Sequence, residues 1–284
     1  MSPHRVPGVA ATAVRATVGL RGRLFFHAAP GIPGFGAFVY LPLSQPRPRA
    51  VTLLIHGITR NAAEQVARFA PLAEQAGTAL VAPLFARALF PRYQTLAAKR
   101  GLPDPAASLD ALIDSLGTSL DLDMRALRGF GFSGGGQFLH RYAMAQPQRF
   151  ARIAIGAAGW YTFPDPALAY PQGVAGWSHW TPASAAQFLA LPVRVLVGSK
   201  DNRRDPALNR SATIDAQQGR DRVARGRHWV AALRERAEAS GIVSAASFRK
   251  LRGVSHNFTE AVSGRGYGES VFEFLFPHDD EASA

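Results

Sequence analysis

The residues of this sequence that could do chemistry gather in one glycine-rich stretch, RGFGFSGGGQFLHRY. Gly129, Gly131 and Gly134 have the G-x-G-x-x-G spacing of a dinucleotide-binding turn, in which backbone N–H groups cradle phosphates. Gly131, Ser133 and Gly135 have the G-x-S-x-G spacing of a turn that exposes a serine nucleophile between a strand and a helix. Both motifs require the same local structure, so the choice between them depends on residues elsewhere in the chain.

The residues that would support a dinucleotide site are absent from the sequence. Such a site has an acidic residue about twenty positions after the glycines, at the end of the next strand, where it binds the ribose. The next predicted strand here is RIAIGAAG, and the first acid after the motif is Asp165, well beyond that strand. There is no G-x-x-x-x-G-K-[ST] phosphate loop either. The sequence therefore favours the serine.

A serine nucleophile needs a histidine that takes its proton and a carboxylate that orients the imidazole and stabilises its positive charge. The sequence offers both in the chain order serine, aspartate, histidine, each directly after a predicted strand. Asp201 follows the strand VRVLVGS, and His256 follows the last predicted strand, at 245–253. This order predicts a catalytic triad of Ser133, Asp201 and His256.

Other residues compete for two of these roles. Asp205 is the chief alternative to Asp201 as the acid. His140 lies on the predicted helix that follows Ser133, and His228 lies in an arginine-rich helix, so we expect packing or surface roles for both. His278, in the acidic tail, is expected to be solvated.

Acyl transfer also needs N–H groups that bind the negative charge on the carbonyl oxygen. One is expected from the residue after the nucleophile, Gly134. The other is expected from the loop in LLIHGITRN, and we choose the backbone N–H of Ile58. His56, in the same loop, is either a packed histidine in a tight turn or a brace for the loop.

Composition excludes several other classes of site. The 284-residue chain has no cysteine, which excludes disulfides, thiolate metal sites and cysteine nucleophiles. It has no H-E-x-x-H motif, and we expect neither a metal nor an organic cofactor. The net charge of +12 could attract nucleic acid, but no dense run of Lys and Arg is present. The most basic region, at 219–238, has interleaved acids and predicts a solvated helix, so no nucleic-acid partner is expected.

The elements that must position these residues alternate between short apolar runs and longer helical stretches. This alternation predicts an α/β fold, with a mostly parallel central sheet flanked by helices, as a single domain over 1–284. Antiparallel edge strands are expected within 9–42. The predicted strands are 35–42, 50–57, 78–85, 127–132, 152–159, 193–199 and 245–253, and the predicted helices are 63–77, 106–117, 135–147, 221–240 and 266–276.

The segment 160–190 breaks the alternation, because it is rich in aromatic residues and interrupted by prolines. It predicts a lid-like insertion, since linkers are seldom so aromatic. We expect Trp160, Tyr161, Trp177 and Trp180 to form one wall of the substrate pocket. The alternative is that they pack a small secondary core.

No apolar run is long enough to span a membrane. Pro7, Gly8 and Arg15 interrupt the N-terminal stretch, which makes it a poor signal peptide. We expect a soluble cytoplasmic protein, with secretion as the alternative.

The stretches LLIHGITRN, GFGFSGGGQFLHRYAMAQPQRF, VGSKDN and GVSHNF together resemble the α/β-hydrolase superfamily. They look most similar to its poly(3-hydroxybutyrate) depolymerase-like and feruloyl-esterase-like serine esterases, and the resemblance covers about residues 35–276. It implies an α/β-hydrolase fold with Ser133 as nucleophile, His256 as base and Asp201 as acid.

The activity that the resemblance implies is cleavage of a carboxylic ester through an acyl-enzyme intermediate, with a small-molecule ester or oligoester as the substrate. An amidase or peptidase with the same triad and a non-catalytic binding protein on a hydrolase fold are the alternatives. Secreted polymer depolymerases usually have a signal peptide and disulfides, and this chain has neither clearly, which argues against an extracellular polymer as substrate.

Overall fold

A computed structural model describes residues 19–264 and 266–277 of the chain. The predictions for the N-terminal stretch and for His278 fall outside these residues. In the described part, the strands are β1 (Leu24–Ala28), β2 (Gly36–Tyr40), β3 (Ala50–Ile55), β4 (Thr78–Pro83), β5 (Leu127–Phe132), β6 (Phe150–Gly156), β7 (Val193–Gly198) and β8 (Ser247–Leu251).

The helices in the same part of the chain lie mainly between these strands. They are α1 (Ala62–Ala76), α2 (Pro105–Leu120), α3 (Gly134–Ala145), α4 (Pro182–Ala190), α5 (Ala212–Gln218), α6 (Arg222–Ala239), α7 (Phe258–Gly264) and α8 (Tyr267–Leu275). None of the helices in the described residues is long and apolar enough to cross a membrane.

The strands form one sheet in the order β1-β2-β4-β3-β5-β6-β7-β8. The strands from β3 to β8 are parallel to one another, whereas β1 and β2 pair antiparallel at one edge. The predicted fold class, a mostly parallel sheet with an antiparallel N-terminal edge, is therefore confirmed.

Helices cover both faces of the sheet, which is why its central strands are mostly apolar. All residues of β3 and β4 are buried. On β5, the ring of Phe130 packs at 5.3 Å from that of Phe69 on α1, whereas the adjacent Gly129 faces Leu139 of α3. Since successive residues of a strand point to opposite faces, α1 and α3 lie on opposite sides.

The parallel strands bring four distant parts of the sequence to one edge of the sheet. Gly57 and Ile58 follow the carboxyl end of β3, and Ser133 follows that of β5. Asp201 comes after β7, and His256 comes after β8. Ligands of open α/β sheets bind at this edge, beyond the carboxyl ends of the strands.

The aromatic segment 160–190 lies between β6 and β7 and packs against the helices beside the sheet. The ring of Tyr161 stacks on that of Trp229 of α6 at 4.8 Å, and the Trp229 indole donates a hydrogen bond to the carbonyl of Thr162 at 2.7 Å. Trp177 stacks on Tyr170 at 4.4 Å. These contacts join the segment to the main hydrophobic core of the protein.

The basic helix α6 differs from the solvated helix that its composition predicted. Its inner face is buried against β7 and β8. That face includes two arginines, Arg222 and Arg225, which are 1% and 0% exposed. The prediction was wrong because composition does not reveal that carboxylates elsewhere in the chain neutralise these two side chains.

Candidate active site

Ser133 occupies a strained turn between β5 and α3. Its φ of 55° and ψ of −115° lie where non-glycine residues are rare, and such strain is found mostly at functional sites. The Ser133 N–H donates to the carbonyl of Gly156 at 2.7 Å, which ties the turn to β6. A Cβ on Gly131 would lie 2.4 Å from the carbonyl oxygen of Gly135, so the turn forms only with glycine there.

A chain of hydrogen bonds joins Ser133, His256 and Asp201. His256 Nε2 lies 3.0 Å from Ser133 Oγ, and His256 Nδ1 lies 2.6 Å from Asp201 Oδ2. An ionised carboxylate only accepts hydrogen bonds, so Nδ1 carries the ring proton and Nε2 accepts from the serine hydroxyl. The three residues are separated by up to 123 positions in sequence and meet here in the predicted order.

The imidazole of His256 is held between a carboxylate and an aromatic ring. Asp201 is buried, with 3% of its surface exposed. The ring of Phe132, the residue before the nucleophile, stacks on the imidazole at 5.2 Å and 29°. His256 itself keeps 25% of its side chain exposed, so it reaches the adjoining cavity.

The structure distinguishes between the two candidate acids. Asp201, and not Asp205, is hydrogen-bonded to His256. Asp205 instead pairs with Arg222, whose Nη2 donates to Asp205 Oδ1 at 3.1 Å and whose Nη1 contacts Asp205 Oδ2. The hydrogen bond from Arg222 lowers the pKa of the Asp205 carboxyl.

Arg222 is a residue at this site that the sequence did not reveal. Its Nη1 also donates to Asp201 Oδ1 at 3.0 Å, so the guanidinium bridges the two aspartates. In sequence it stands 21 residues after Asp201 at the start of a helix with many arginines. No spacing rule separates it from those neighbours.

The backbone N–H groups of Ile58 and Gly134 lie close to each other beside Ser133. The Ile58 nitrogen is 3.3 Å from the position that a Cβ on Gly134 would occupy. Gly134 is the first residue of α3, so its N–H has no acceptor within the helix. Neither group has a hydrogen-bond acceptor within the described residues. Unpaired backbone N–H groups beside a serine hydroxyl are the kind of donor that an oxyanion needs.

His56 holds the loop that carries Ile58. Its Nε2 accepts the N–H of Phe85 at 3.0 Å, and its Nδ1 donates to the carbonyl of Gly57 at 2.8 Å. Burial lowers the pKa of His56 to about 4, so the ring is neutral at physiological pH. Tyr93 adds a hydrogen bond from its hydroxyl to the His56 carbonyl at 2.6 Å. These hydrogen bonds hold the loop after β3 in place, so His56 acts as a brace for that loop.

A cavity of about 620 Å³ opens beside Ser133 and His256. Its lining includes the apolar side chains of Ile58, Phe132 and Phe258 and the acidic groups of Glu64 and Asp205. The residues that line it are Gly57, Ile58, Thr59, Asn61, Glu64, Phe132, Ser133, Asp205, Ala207, His256, Asn257, Phe258 and Thr259.

The four aromatic residues expected in the pocket wall do not line this cavity. Tyr161 is fully buried against Trp229 of α6, and Trp177 stacks on Tyr170. Trp160 lies over the buried guanidinium of Arg141, and Trp180 packs edge-on against Phe188 of α4. Their contacts are instead with side chains of α3, α4 and α6 and of the segment itself.

The two other histidines considered for the triad, His140 and His228, are engaged elsewhere. His140 is buried, with Nδ1 2.9 Å from the carbonyl of Gly136 and Nε2 accepting the N–H of Thr162 at 2.9 Å. His228 is exposed and contacts the carbonyl of Gln218. Within the described residues, no cluster of three or more His, Asp or Glu side chains is arranged to hold a metal ion.

The sequence matches no protein-family model and no curated protein. Solved structures are similar, however. A poly(3-hydroxybutyrate) depolymerase, LpqC from Bordetella parapertussis, is 25% identical with a TM-score of 0.78, over 95% of this chain and 97% of that one. Poly(aspartic acid) hydrolase-1 from Sphingomonas sp. KT-1 is 25% identical with a TM-score of 0.72, over 88% and 96%.

A more distant similarity shows the fold alone. An S-formylglutathione hydrolase from Agrobacterium tumefaciens is 16% identical with a TM-score of 0.59, over 89% of this chain and 93% of that one. The sheet topology and these neighbours place the chain among hydrolases of the α/β-hydrolase fold.

Proposed function

We propose that the protein is a serine hydrolase that cleaves carboxylic esters through an acyl-enzyme intermediate. The observation that carries this proposal is the hydrogen-bonded chain from Ser133 Oγ through His256 to Asp201, at the mouth of a cavity. A serine hydroxyl is a weak nucleophile at neutral pH, and this arrangement provides the base that activates it.

In the first half of the reaction, Ser133 Oγ attacks the ester carbonyl carbon while its proton passes to His256 Nε2. The carbonyl oxygen becomes an oxyanion, which the N–H groups of Ile58 and Gly134 stabilise. Asp201 stabilises the imidazolium and keeps its Nδ1 proton directed away from the serine. The tetrahedral intermediate then expels the alcohol, which takes the proton from Nε2 as it leaves.

In the second half, water replaces the alcohol. His256 Nε2 takes a proton from the water, whose oxygen attacks the acyl carbon. A second oxyanion forms at the same pair of N–H groups and collapses. Ser133 Oγ leaves the acyl carbon and regains its proton from His256, which releases the carboxylic acid.

The lining of the cavity supports an uncharged or cationic substrate rather than an anionic one. Among the described residues, no Lys or Arg lines the cavity, whereas Glu64 and Asp205 do. Burial disfavours the charge on Glu64, but hydrogen bonds from Thr259, Arg68 and Asn61 outweigh it and lower the pKa of the carboxyl. Glu64 pairs with Arg68 and Asp205 pairs with Arg222, so the described lining offers an anionic substrate no unpaired positive charge. A neutral ester or oligoester therefore suits the cavity better than a polyanion.

An amide substrate is the second candidate, because one neighbour at 25% identity is a poly(aspartic acid) hydrolase. The same three residues serve both reactions, since the leaving group and not the triad distinguishes them. Paired p-nitrophenyl esters and p-nitroanilides with the same acyl group separate the two. We expect the kcat/KM for the ester to exceed that for the anilide by more than about a hundredfold.

The test is hydrolysis of p-nitrophenyl esters of increasing chain length by the wild type and by Ser133→Ala. We expect the variant to lose on the order of 10⁶ in kcat while keeping the wild-type circular dichroism spectrum. Ser119→Ala is a matched control, because Ser119 is an exposed serine on α2. A Ser133→Ala protein with a tenth of the wild-type rate would place the nucleophile elsewhere. A wild type that binds esters without turnover would indicate a binding protein.

A further inference from the structure

A buried ionic cluster lies behind the proposed triad, and the reaction as described does not use all of it. Arg222 is the first residue of α6 and is 1% exposed. Its guanidinium contacts Asp201 Oδ1 and both oxygens of Asp205. The side chain of Asp221 accepts the N–H of Ala224 at 2.9 Å and so fixes the start of the helix from which Arg222 extends.

The cluster satisfies both oxygens of Asp201 with different partners. Oδ2 accepts from His256 Nδ1 at 2.6 Å, and Oδ1 accepts from Arg222 Nη1 at 3.0 Å. Rotation of the carboxylate about its Cβ–Cγ bond would break both contacts. Asp205 holds the planar guanidinium of Arg222 in place, and the guanidinium therefore fixes the orientation of the Asp201 carboxylate.

The cluster also sets the charge next to His256. Asp201 and Asp205 together carry two negative charges, and Arg222 cancels one of them. A buried arginine destabilises a protein unless carboxylates pair with it. Loss of either aspartate therefore changes the electrostatic interactions of the groups that remain. The imidazolium that forms during the reaction therefore experiences one net negative charge from the three residues rather than two.

We propose that Arg222 is a positioning residue of the active site, which orients Asp201 toward His256 and limits the negative charge that the imidazole experiences. This inference rests on the proposed function, because it assumes that Ser133, His256 and Asp201 are the catalytic group. Arg222 touches neither Ser133 nor His256, so it acts through Asp201.

Other groups near the cluster do not replace this role. Within the described residues, the charged and titratable groups around Asp201 and His256 are Arg222 of α6, Lys200, Arg203 and Asp205 of the loop after β7, Glu64 of α1, Tyr161 of the loop after β6, and Tyr267 of α8. Burial raises the pKa of both phenols, so they stay uncharged. Arg225 pairs with Asp215 at 2.7 Å.

The two partners of the cluster give opposite predictions for the pH profile. The rate falls in acid when the imidazole binds a proton and can no longer act as base. Arg222→Met leaves two carboxylates near the imidazole, which favours the imidazolium, so the acid limb of kcat/KM moves up by about one pH unit. Asp205→Asn removes a negative charge and leaves Arg222 paired with Asp201. The acid limb of kcat/KM therefore moves to lower pH.

The experiment measures kcat, KM and the acid limb for Arg222→Met, Arg222→Lys and Asp205→Asn on one p-nitrophenyl ester. For Arg222→Met we expect kcat to fall about 10- to 100-fold with KM changed less than about threefold. Arg222→Lys keeps the charge without the planar fork, so its limb stays near that of the wild type while kcat falls less. If Arg222→Met does not fold, the Asp205→Asn shift and the Arg222→Lys kcat decide the test.

Arg225→Met is the matched control, since Arg225 is another buried arginine of α6 and has no contact with Asp201. It should lower the melting temperature and leave the acid limb in place. The inference would be overturned if the acid limb of kcat/KM shifted in the same direction in Arg222→Met and Asp205→Asn, or shifted in neither variant. Failure of the proposed function is distinct, because Ser133→Ala would then keep its activity.

Discussion

Gly135 lies against the carbonyl oxygen of Ile55, so close that a Cβ on Gly135 would stand 1.9 Å from that oxygen. Ile55 ends β3, and Gly135 is the second residue of α3. This contact brings the loop that carries Ile58 beside the turn that carries Ser133. The second small residue of the serine motif therefore joins the two halves of the site.

We expect Gly135→Ala to destabilise the protein by more than about 3 kcal/mol, because a methyl group cannot occupy the space of a backbone oxygen without moving β3 or α3. Thermal and urea unfolding measure the effect. Gly264→Ala is the control, since a Cβ there meets nothing within 4 Å, and its stability should equal or slightly exceed that of the wild type. Equal melting temperatures for the two variants would refute the contact.

The brace formed by His56 predicts a dependence of stability on pH. Burial lowers the pKa of His56 to about 4, and the unfolded chain has an ordinary histidine pKa of about 6.5. Above pH 6.5 both states are neutral and this contribution to stability is fully present. As the pH falls from 6.5 toward 4, the unfolded chain binds a proton that the folded chain does not, so the contribution is lost.

His56→Gln should therefore reduce the loss of unfolding free energy between pH 7 and pH 4.5 by about 2–3 kcal/mol relative to the wild type. Urea titrations at the two pH values provide the measurement. His228→Gln is the control, because His228 is exposed and should leave the difference unchanged. If His56→Gln loses as much stability on acidification as the wild type, the histidine does not titrate as inferred.

Much of the site could be predicted because its parts are local. Ser133 carries its own motif, and Asp201 and His256 follow strands that apolar runs delimit. Parallel strands bring the residues at their carboxyl ends to one edge, so strand order alone brought these three together. The prediction that the N–H groups of Ile58 and Gly134 act together follows from the same rule.

The remaining parts depend on contacts between elements that no local pattern records. Arg222 resembles the other arginines of its helix until the two aspartates are placed beside it. The aromatic segment was expected at the pocket because both its ends emerge at the catalytic edge. Trp229, on which Tyr161 of this segment stacks, lies on α6, 39 residues after the segment ends at 190. The sequence did not reveal which face of that helix is buried.

The cavity wall now predicts where chain-length selectivity resides. Ala207 is exposed and lines the cavity, so Ala207→Trp should narrow it and shift the preference toward shorter acyl chains, with kcat/KM for an octanoate ester falling at least about tenfold relative to acetate. Trp177→Ala is the contrast, because Trp177 packs on Tyr170 and not on the cavity. It should lower the melting temperature and keep the chain-length profile. A changed chain-length profile in Trp177→Ala together with an unchanged profile in Ala207→Trp would place the substrate pocket at the aromatic segment.

The acidic lining predicts discrimination by charge. Glu64→Gln should raise kcat/KM for an anionic ester, such as a p-nitrophenyl hemisuccinate, about three- to tenfold relative to the neutral butyrate. The effect should shrink in high salt, since ions screen the repulsion. Glu273→Gln is the control, because this α8 carboxylate is exposed and does not line the cavity. An unchanged ratio in Glu64→Gln would show that the carboxylate does not repel the substrate.

The most direct test of the central claim is covalent labelling of the nucleophile with a fluorophosphonate, followed by intact mass measurement and peptide mapping. Ser133 Oγ should displace fluoride at phosphorus, with loss of esterase activity at the same rate as labelling. We predict one adduct per chain, on the peptide that contains Ser133, and none in Ser133→Ala. An adduct on another residue, or loss of activity in the wild type without an adduct at Ser133, would contradict the account.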